Sequence, residues 1–221
     1  MIEFAANGGT AKGYLAKPAS GSGPGVIVVQ EWWGLNDQIK GVADKLAQEG
    51  FVALAPDMYH GDMATEPGEA GKLMMALNVE QAEKDLRGAA QALKANGASG
   101  QKLGAIGFCM GGQLALYAGT LSPDVGAVVD LYGIHPAVKP DYSKLQGPVL
   151  LIAGDQDPMA GPEPLGGIER DIKAAGKSAE LKVYPGAGHA FLNEQRADAY
   201  NAEAASDAWS RTVNHLKSNL K

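Results

Sequence analysis

The 221-residue sequence contains a single cysteine, Cys109, and this scarcity narrows the chemistry open to the chain. One cysteine can form no disulfide within the chain, and it excludes a metal site built from several thiolates. We therefore expect a free thiol in a compartment that keeps thiols reduced. No motif implies a metal ion or any other cofactor.

The sequence also has no run of basic residues and no long apolar stretch. Its formal net charge of −6 favours solubility and argues against a nucleic-acid partner. A membrane-spanning helix needs about 20 mostly apolar residues in a row, and no such segment is present. The first residues lack the basic start and apolar core of a signal peptide. We expect a cytoplasmic protein with no nucleic-acid or membrane partner, and a monomer is the default expectation.

The remaining composition is that of an ordinary globular protein, with 45% hydrophobic residues. We predict one α/β domain over residues 1–221, because segments typical of strands alternate with segments typical of helices. This alternation implies a mostly parallel sheet with helices on both faces, after an opening hairpin. The hairpin is predicted at 2–6 and 11–16. Further strands are predicted at 26–29, 51–55, 103–106, 125–131, 148–153 and 179–184, and helices at 37–48, 73–77, 79–94, 113–118, 165–175 and 197–217.

The stretch from Gly104 to Gly112 organises the rest of the chain. Within it, Gly107-Phe108-Cys109-Met110-Gly111 has the G-x-nucleophile-x-G pattern of a nucleophile elbow, with cysteine in place of serine. Glycines on both sides of the nucleophile allow a tight turn from strand to helix, and free N–H groups at a helix start stabilise a thiolate. The plainer interpretation of these residues is a buried cysteine on a glycine-rich turn.

Two further loops carry residues that complete a catalytic arrangement. Asp157 follows one later predicted strand and His189 follows the last one, so the chain order is nucleophile, acid, histidine, as in α/β-hydrolases. In that arrangement Cys109 attacks a carbonyl, His189 exchanges the proton and Asp157 orients the imidazole. Asp155 is the alternative acid.

Other residues at the same edge of the sheet are expected to complete the site. The backbone N–H groups of Met110 and Trp32 are the candidate oxyanion donors. Glu31 lies in the same loop as Trp32. The candidate walls of the substrate pocket are Trp33, Tyr59, His60, His135 and Phe191.

Five segments together resemble the dienelactone hydrolase family of the α/β-hydrolases, and the resemblance covers nearly the whole chain. They are 30–36 (QEWWGLN), 55–59 (APDMY), 107–112 (GFCMGG), 154–157 (GDQD) and 186–191 (GAGHAF). The resemblance implies the α/β-hydrolase fold, hydrolysis of a small lactone or carboxylic ester through an acyl-enzyme, and a triad of Cys109, His189 and Asp157. It also implies that Glu31 interacts with the cysteine, holding it in a resting state or deprotonating it when substrate binds.

The sequence departs from the family where substrate recognition is concerned. Family members hold the substrate carboxylate with two arginines, but this chain has His60-Gly61 at the first position and Asn193 at the second. Arg196 is nearby but displaced. Because a desolvated carboxylate needs a charged partner, we expect neutral lactones or esters to be preferred over anionic ones.

Three alternatives stay open at this point. The same triad would serve a thioesterase or another small-acyl hydrolase. A non-catalytic redox sensor would use reversible oxidation of Cys109. A dinucleotide-binding oxidoreductase would use the glycine cluster together with Asp130 as the ribose-binding acid, although Cys109 would crowd the pyrophosphate.

Overall fold

Eight strands form one sheet in the computed structural model, which describes residues 1–220. The strands are β1 (Ile2–Ala6), β2 (Gly9–Ala16), β3 (Gly23–Val29), β4 (Val52–Pro56), β5 (Ala98–Phe108), β6 (Val125–Leu131), β7 (Val149–Gly154) and β8 (Ala179–Tyr184). Their order across the sheet is β1-β2-β4-β3-β5-β6-β7-β8. The β1–β2 and β2–β4 pairings are antiparallel and all others are parallel, which confirms the mostly parallel sheet.

Helices cover both faces of the sheet, as predicted. They are α1 (Asp37–Gln48), α2 (Pro67–Met75), α3 (Val79–Ala95), α4 (Met110–Leu121), α5 (Pro162–Ala174) and α6 (Ala202–Asn219). On one face, α1 and α6 lie on either side of a shared cavity. On the other face, α3 contacts α4, and α4 and α5 both contact a short 3₁₀ turn at Tyr142–Lys144. None of the helices in residues 1–220 is long and apolar enough to span a membrane.

Local sequence accounts for the elements that match their predicted bounds. The opening hairpin turns at Asn7 and Gly8, whose φ angles of 42° and 94° suit the Asn-Gly pair that hairpins favour. Helix α1 begins after Asn36, whose side chain accepts a hydrogen bond from the Ile39 N–H at 3.2 Å. Strand β3 has a run of β-branched residues, Val26–Val29, that is completely buried because helices cover both of its faces.

Helices α2 and α6 differ most from their predicted bounds, while α4 and α5 each begin three residues earlier than predicted. Helix α2 begins at Pro67 rather than near Leu73, because proline is well tolerated in the first helical turn. Helix α6 begins at Ala202 rather than Ala197, because the Asn201 side chain caps it by accepting the Ala204 N–H at 3.2 Å.

The strand order places the functional loops together. Strand β3 pairs with β4 on one side and with β5 on the other, so the chain changes direction across the sheet between β3 and β5. Loops at the carboxyl ends of strands meet at such a switch point, and ligands of open α/β sheets bind there. The loop after β3 begins with Gln30 and Glu31, and Cys109 directly follows β5.

Candidate active site

Cys109 occupies a strained turn between β5 and α4. Its φ of 54° and ψ of −128° lie outside the regions that non-glycine residues normally adopt. The surrounding chain holds it there, since its N–H donates to the Leu131 carbonyl at 3.1 Å on the neighbouring strand. The thiol is free and only partly buried. A strained, partly exposed cysteine at a strand-to-helix turn has the geometry expected of a nucleophile elbow.

The flanking glycines are required by close backbone contacts. A Cβ on Gly107 would overlap the carbonyl of Gly111, the second residue of α4. A Cβ on Gly111 would overlap the backbone carbonyl of Gln30, in the loop after β3. Glycine at both positions therefore lets the elbow close and brings the Glu31 loop against it.

His189 and Asp157 form a hydrogen-bonded pair at the same edge of the sheet. His189 Nδ1 lies 2.7 Å from Asp157 Oδ2. The other carboxylate oxygen of Asp157 accepts the backbone N–H groups of Met159 at 2.8 Å and Ala160 at 3.0 Å. Burial raises the pKa of Asp157, but the hydrogen bonds from His189 and the two amides outweigh it, so this pKa lies below its usual value. The carboxylate is thus fixed in its ionised form.

The imidazole of His189 connects this acid to the cysteine. Burial lowers the pKa of His189, but hydrogen bonds to Asp157 and Cys109 and the charges on both groups raise it to about 10. The ring of Tyr132 packs edge-on against the imidazole, with ring centroids 5.2 Å apart. An imidazole held between a carboxylate and a thiol can carry a proton from one reacting group to another.

Glu31 is a buried carboxyl beside this group, with 1% of its surface exposed. Its Oε2 accepts a hydrogen bond from the Asn193 side-chain amide at 3.1 Å, and its Oε1 has no partner among the described residues. Burial raises the pKa of Glu31, and the charge of His189, the Asn193 hydrogen bond and the charge of Arg196 oppose that rise. Asn193 is itself buried and accepts the Gln195 N–H through Oδ1 at 3.0 Å, so it holds the Glu31 carboxyl in place.

Two free backbone amides belong to the elbow and to the loop that packs against it. Within residues 1–220, neither the Trp32 N–H nor the Met110 N–H donates a hydrogen bond to another residue. Met110 is the first residue of α4, where helix N–H groups have no intrahelical acceptor. Free amides at a helix start can bind a developing oxyanion.

Known proteins resemble the chain along its whole length. The sequence profile of the dienelactone hydrolase family matches residues 11–220. The protein named usf from Aquifex pyrophilus is 39% identical over 228 residues, covering 100% of this chain and 98% of that protein. A protein of Aquifex aeolicus named as a carboxymethylenebutenolidase is 36% identical over 229 residues, covering 100% and 99%.

The chain belongs to the dienelactone hydrolase family.

Solved structures agree with this assignment. A crystal structure from Klebsiella pneumoniae named as a dienelactone hydrolase superposes with a TM-score of 0.87 at 30% identity, covering 98% of this chain and 97% of that one. An esterase from Pyrobaculum calidifontis has a TM-score of 0.75 at 20% identity, covering 98% and 83%, and shares the fold. The α/β-hydrolase fold is confirmed, and family membership makes the chain an ester or lactone hydrolase.

In this chain, two of the predicted pocket residues line a cavity of about 210 Å³. Tyr59 and His60 lie on it, between the loop after β4 and the start of α3. The Tyr59 hydroxyl donates to the Met110 sulfur at 3.0 Å, which links this cavity to the elbow. His60 is held by its Nε2, which lies 2.8 Å from the buried carboxylate of Asp85.

The other predicted pocket residues do not line that cavity. Phe191 is fully buried between the rings of Tyr132 and Tyr184, at centroid distances of 5.6 and 5.3 Å, so it belongs to the core. Trp33 packs edge-on against Trp32, with centroids 5.2 Å apart.

His135 ties its loop to α2 rather than offering its ring to a ligand. Its Nδ1 accepts the Ala137 N–H at 3.2 Å, and its Nε2 donates to the Met74 carbonyl at 3.1 Å. Burial lowers the pKa of this histidine, which keeps it neutral. Both ring nitrogens are used within the fold.

The family assignment removes the oxidoreductase alternative, and the geometry explains why. Asp130 is completely buried on β6, and a Cβ on either Gly112 or Gly133 would overlap its carboxylate. An acid enclosed in this way cannot reach a ribose.

Sequence reasoning missed two residues that contact the site. Tyr132 lies against His189 with a φ of 44°, and its hydroxyl is buried with no hydrogen-bond partner among the described residues. The sequence identified Asn193 only as the residue at the position of the family's second arginine. Its hydrogen bond to Glu31 was not predicted. For Asn193, the only signal in the sequence is that a polar residue follows closely after His189, the candidate histidine.

Proposed function

We propose that this chain is a cysteine-dependent hydrolase of small lactones or carboxylic esters. The proposed triad is Cys109, His189 and Asp157, and the proposed intermediate is an acyl-enzyme. The observation that carries the proposal is the 2.7 Å hydrogen bond from His189 Nδ1 to Asp157 Oδ2, beside a cysteine whose backbone is strained into an elbow.

In the first step the Cys109 thiolate attacks the substrate carbonyl carbon. The carbonyl electron pair moves to oxygen, and the free N–H groups of Met110 and Trp32 stabilise the resulting oxyanion. When the tetrahedral intermediate collapses, the carbon–oxygen bond breaks and the leaving alkoxide takes a proton from protonated His189. The products of this step are an alcohol and a thioester on Cys109; in a lactone the alcohol remains part of the acyl group.

In the second step water hydrolyses the thioester. Neutral His189 takes a proton from water, whose oxygen attacks the acyl carbon, and the carbon–sulfur bond breaks to release the acid and restore the thiolate. Asp157 stabilises the imidazolium and fixes its orientation throughout, because its second oxygen is held by two backbone amides.

The proposed role of Glu31 is to control the resting thiol. Its carboxyl is buried, and Oε1 has no partner within residues 1–220, so it can exchange a proton with Cys109. A permanent carboxylate beside a permanent thiolate would be unfavourable, because like charges disfavour each other's ionised form. Asn193 supplies a neutral partner that keeps the carboxyl positioned without adding a charge.

The proposed substrates are neutral because the basic side chains near the site already have partners. His60 is paired with Asp85, and Arg196 is paired with Asp198. A substrate carboxylate would have to break one of these pairs or remain without a charged partner.

The test is hydrolysis of 4-nitrophenyl acetate with mass spectrometry of the quenched enzyme. Wild type should hydrolyse the ester and carry an acetyl group on the peptide that contains Cys109. Cys109→Ala should lose both while keeping its melting temperature close to that of wild type. Cys109→Ala with most of the wild-type turnover would refute the proposed triad.

The same experiment separates the remaining alternatives. Faster turnover of an acetyl thioester than of the matching oxygen ester would identify a thioesterase. A wild-type protein with no turnover of either, whose Cys109 is reversibly oxidised by peroxide, would be a redox sensor.

A further inference from the structure

The cavity of about 210 Å³ that Tyr59 and His60 line has an apolar floor and wall. Its floor consists of the buried residues Met58 and Tyr59, and its wall includes the half-buried side chains of Leu73 and Leu77. Among the residues that the structure describes, no lysine or arginine lines it. An apolar cavity without a strong cation favours an uncharged, apolar group.

The polar side chains that line the cavity already contact protein groups or solvent. His60 Nε2 lies 2.8 Å from Asp85 Oδ2, and the Gln81 side-chain amide donates to Asp85 Oδ1 at 2.9 Å. Asn78 Oδ1 accepts the backbone N–H of Gln81 at 3.0 Å, which caps α3. His60, Asn78 and Asp62 are exposed. Because hydrogen bonds at an exposed rim replace bonds to water, they contribute little net binding, and contact with the apolar floor contributes more.

Tyr59 connects this cavity to the elbow. Its hydroxyl donates to the Met110 sulfur at 3.0 Å, and Met110 directly follows Cys109. Burial raises the pKa of Tyr59, and the charge of a Cys109 thiolate raises it further, so the two side chains are within electrostatic reach of each other. Neither Cys109 nor His189 lines the cavity. The cavity is therefore a neighbour of the reacting atoms and not a part of the triad.

The strand order puts the cavity and the histidine on opposite sides of Cys109. Tyr59 and His60 follow β4, Cys109 follows β5 and His189 follows the last strand, β8. Across this part of the sheet the order is β4-β3-β5-β6-β7-β8. In the proposed mechanism the departing alkoxide takes a proton from His189, so the alcohol half of an ester must lie on the histidine side. The acyl half then extends to the other side of Cys109, towards β4 and the cavity.

We propose that this cavity is the acyl subsite of the enzyme and that it selects esters whose acyl group is a short, uncharged aliphatic chain. The assignment rests on the proposed function, because it takes Cys109 as the nucleophile and His189 as the proton donor. A cavity of about 210 Å³ is smaller than the sites that enclose drug-sized ligands, so it holds roughly four to six carbon atoms of the chain. Leu73 sets the length limit, because its half-buried side chain lines the cavity from α2.

The test measures kcat/KM for 4-nitrophenyl esters from the acetate to the octanoate, in which only the acyl chain varies. For wild type the value should rise by up to about four-fold per methylene as far as roughly the hexanoate and then fall. Leu73→Trp, which fills the cavity, should lower kcat/KM for the hexanoate by at least about ten-fold and leave that for the acetate within about two-fold. Leu73→Ala, which enlarges the cavity, should move the optimum towards the octanoate.

A neighbouring position on α2 supplies the matched control. Lys72 is exposed and does not line the cavity, so Lys72→Trp should keep the wild-type chain-length profile. Thermal melting shows that each variant is folded. A second series, the acetates of ethanol, butanol and hexanol followed by pH-stat, varies only the alcohol, and Leu73→Trp should leave its profile unchanged.

Other results would overturn the assignment. If Leu73→Trp discriminates against long alcohols instead of long acyl chains, the cavity is the leaving-group site. If the profiles of Leu73→Trp and wild type coincide while mass spectrometry still finds the acyl group on Cys109, no part of the substrate enters the cavity. Absence of acylation at Cys109 in wild type is a different failure, because it refutes the proposed function itself and the acyl subsite with it.

Discussion

At the scale of single residues, Asp155 and Asp157 differ in what their carboxylates contact. Asp157 binds the His189 imidazole and two backbone amides, whereas Asp155 is exposed and accepts the Gly186 N–H at 2.7 Å. The contacts of Asp157 orient the His189 imidazole, whereas the contact of Asp155 holds a turn in the loop that precedes the histidine.

We therefore expect Asp157→Asn to lower kcat for an activated ester by about 10²- to 10⁴-fold, because the imidazole loses the partner that fixes its tautomer. Asp155→Asn is the matched control and should have a much smaller effect. Steady-state kinetics of the two variants make the comparison. A larger loss in Asp155→Asn would reassign the acid.

His189 gives stability a dependence on alkaline pH. Its folded pKa is about 10, while its ordinary value is 6.5. Between these two values the folded protein keeps a proton that the unfolded chain has lost, so this contribution to stability is complete below pH 6.5 and is lost as pH rises towards 10.

Melting temperatures measured across this range should fall more steeply in wild type than in His189→Asn. Cys109→Ala should fall less steeply than wild type, because one of the two groups that hold the proton on His189 is gone. Parallel curves for wild type and His189→Asn would contradict this expectation.

At the scale of secondary-structure elements, the sequence predicts best those elements that a local signal bounds. Strands β6 and β8 and helix α1 have their predicted ends. Strand β6 is mostly apolar, β8 begins with alternating apolar and charged residues, and the capping residue Asn36 marks the start of α1. Strand β5 extends five residues further towards its start than predicted, because Ala98 and Ser99 pair with Gly23 and Pro24 of β3. The first residues of β5 are small or polar, and they leave no periodic pattern in the sequence.

The same limit applies to the site. Parallel topology brings the loops after successive strands to one edge of the sheet. The sequence could therefore predict that the elbow, the acid and the histidine lie at the same edge. The hydrogen bond between Glu31 and Asn193 joins residues 162 positions apart, and no local pattern reports such a pair. The side-chain directions of Phe191 and His135 are set by packing in irregular loops, so the sequence could not show that Phe191 packs between Tyr132 and Tyr184 or that His135 binds the Met74 carbonyl.

At the scale of the whole molecule, the charge distribution supports the proposal that the substrates are neutral. The net charge of −6 repels anions at long range, and the basic side chains of His60 and Arg196 already contact carboxylates. Both effects therefore disfavour an anionic substrate, the first during its approach and the second after it has bound.

We expect kcat/KM for a neutral methyl ester of a carboxylated lactone to exceed that of the free acid by at least about ten-fold near pH 7, since an unpaired buried charge costs several kcal/mol. Added salt should narrow the difference, because it screens the long-range repulsion. If the anionic substrate is preferred ten-fold, then Arg196 or His60 leaves its carboxylate partner to bind it.

If Cys109 is the nucleophile as proposed, its strained backbone places folding and catalysis in conflict at one position. With a φ of 54°, folding alone would favour glycine there, the residue that adopts such angles without cost. Cys109→Gly should be inactive yet more stable towards urea than Cys109→Ala, by about 1 kcal/mol. Equal midpoints would show that the turn carries no strain. Cysteine at this position lowers the stability of the fold, so selection for stability alone would not retain it. The proposed catalytic role of the thiol accounts for its retention.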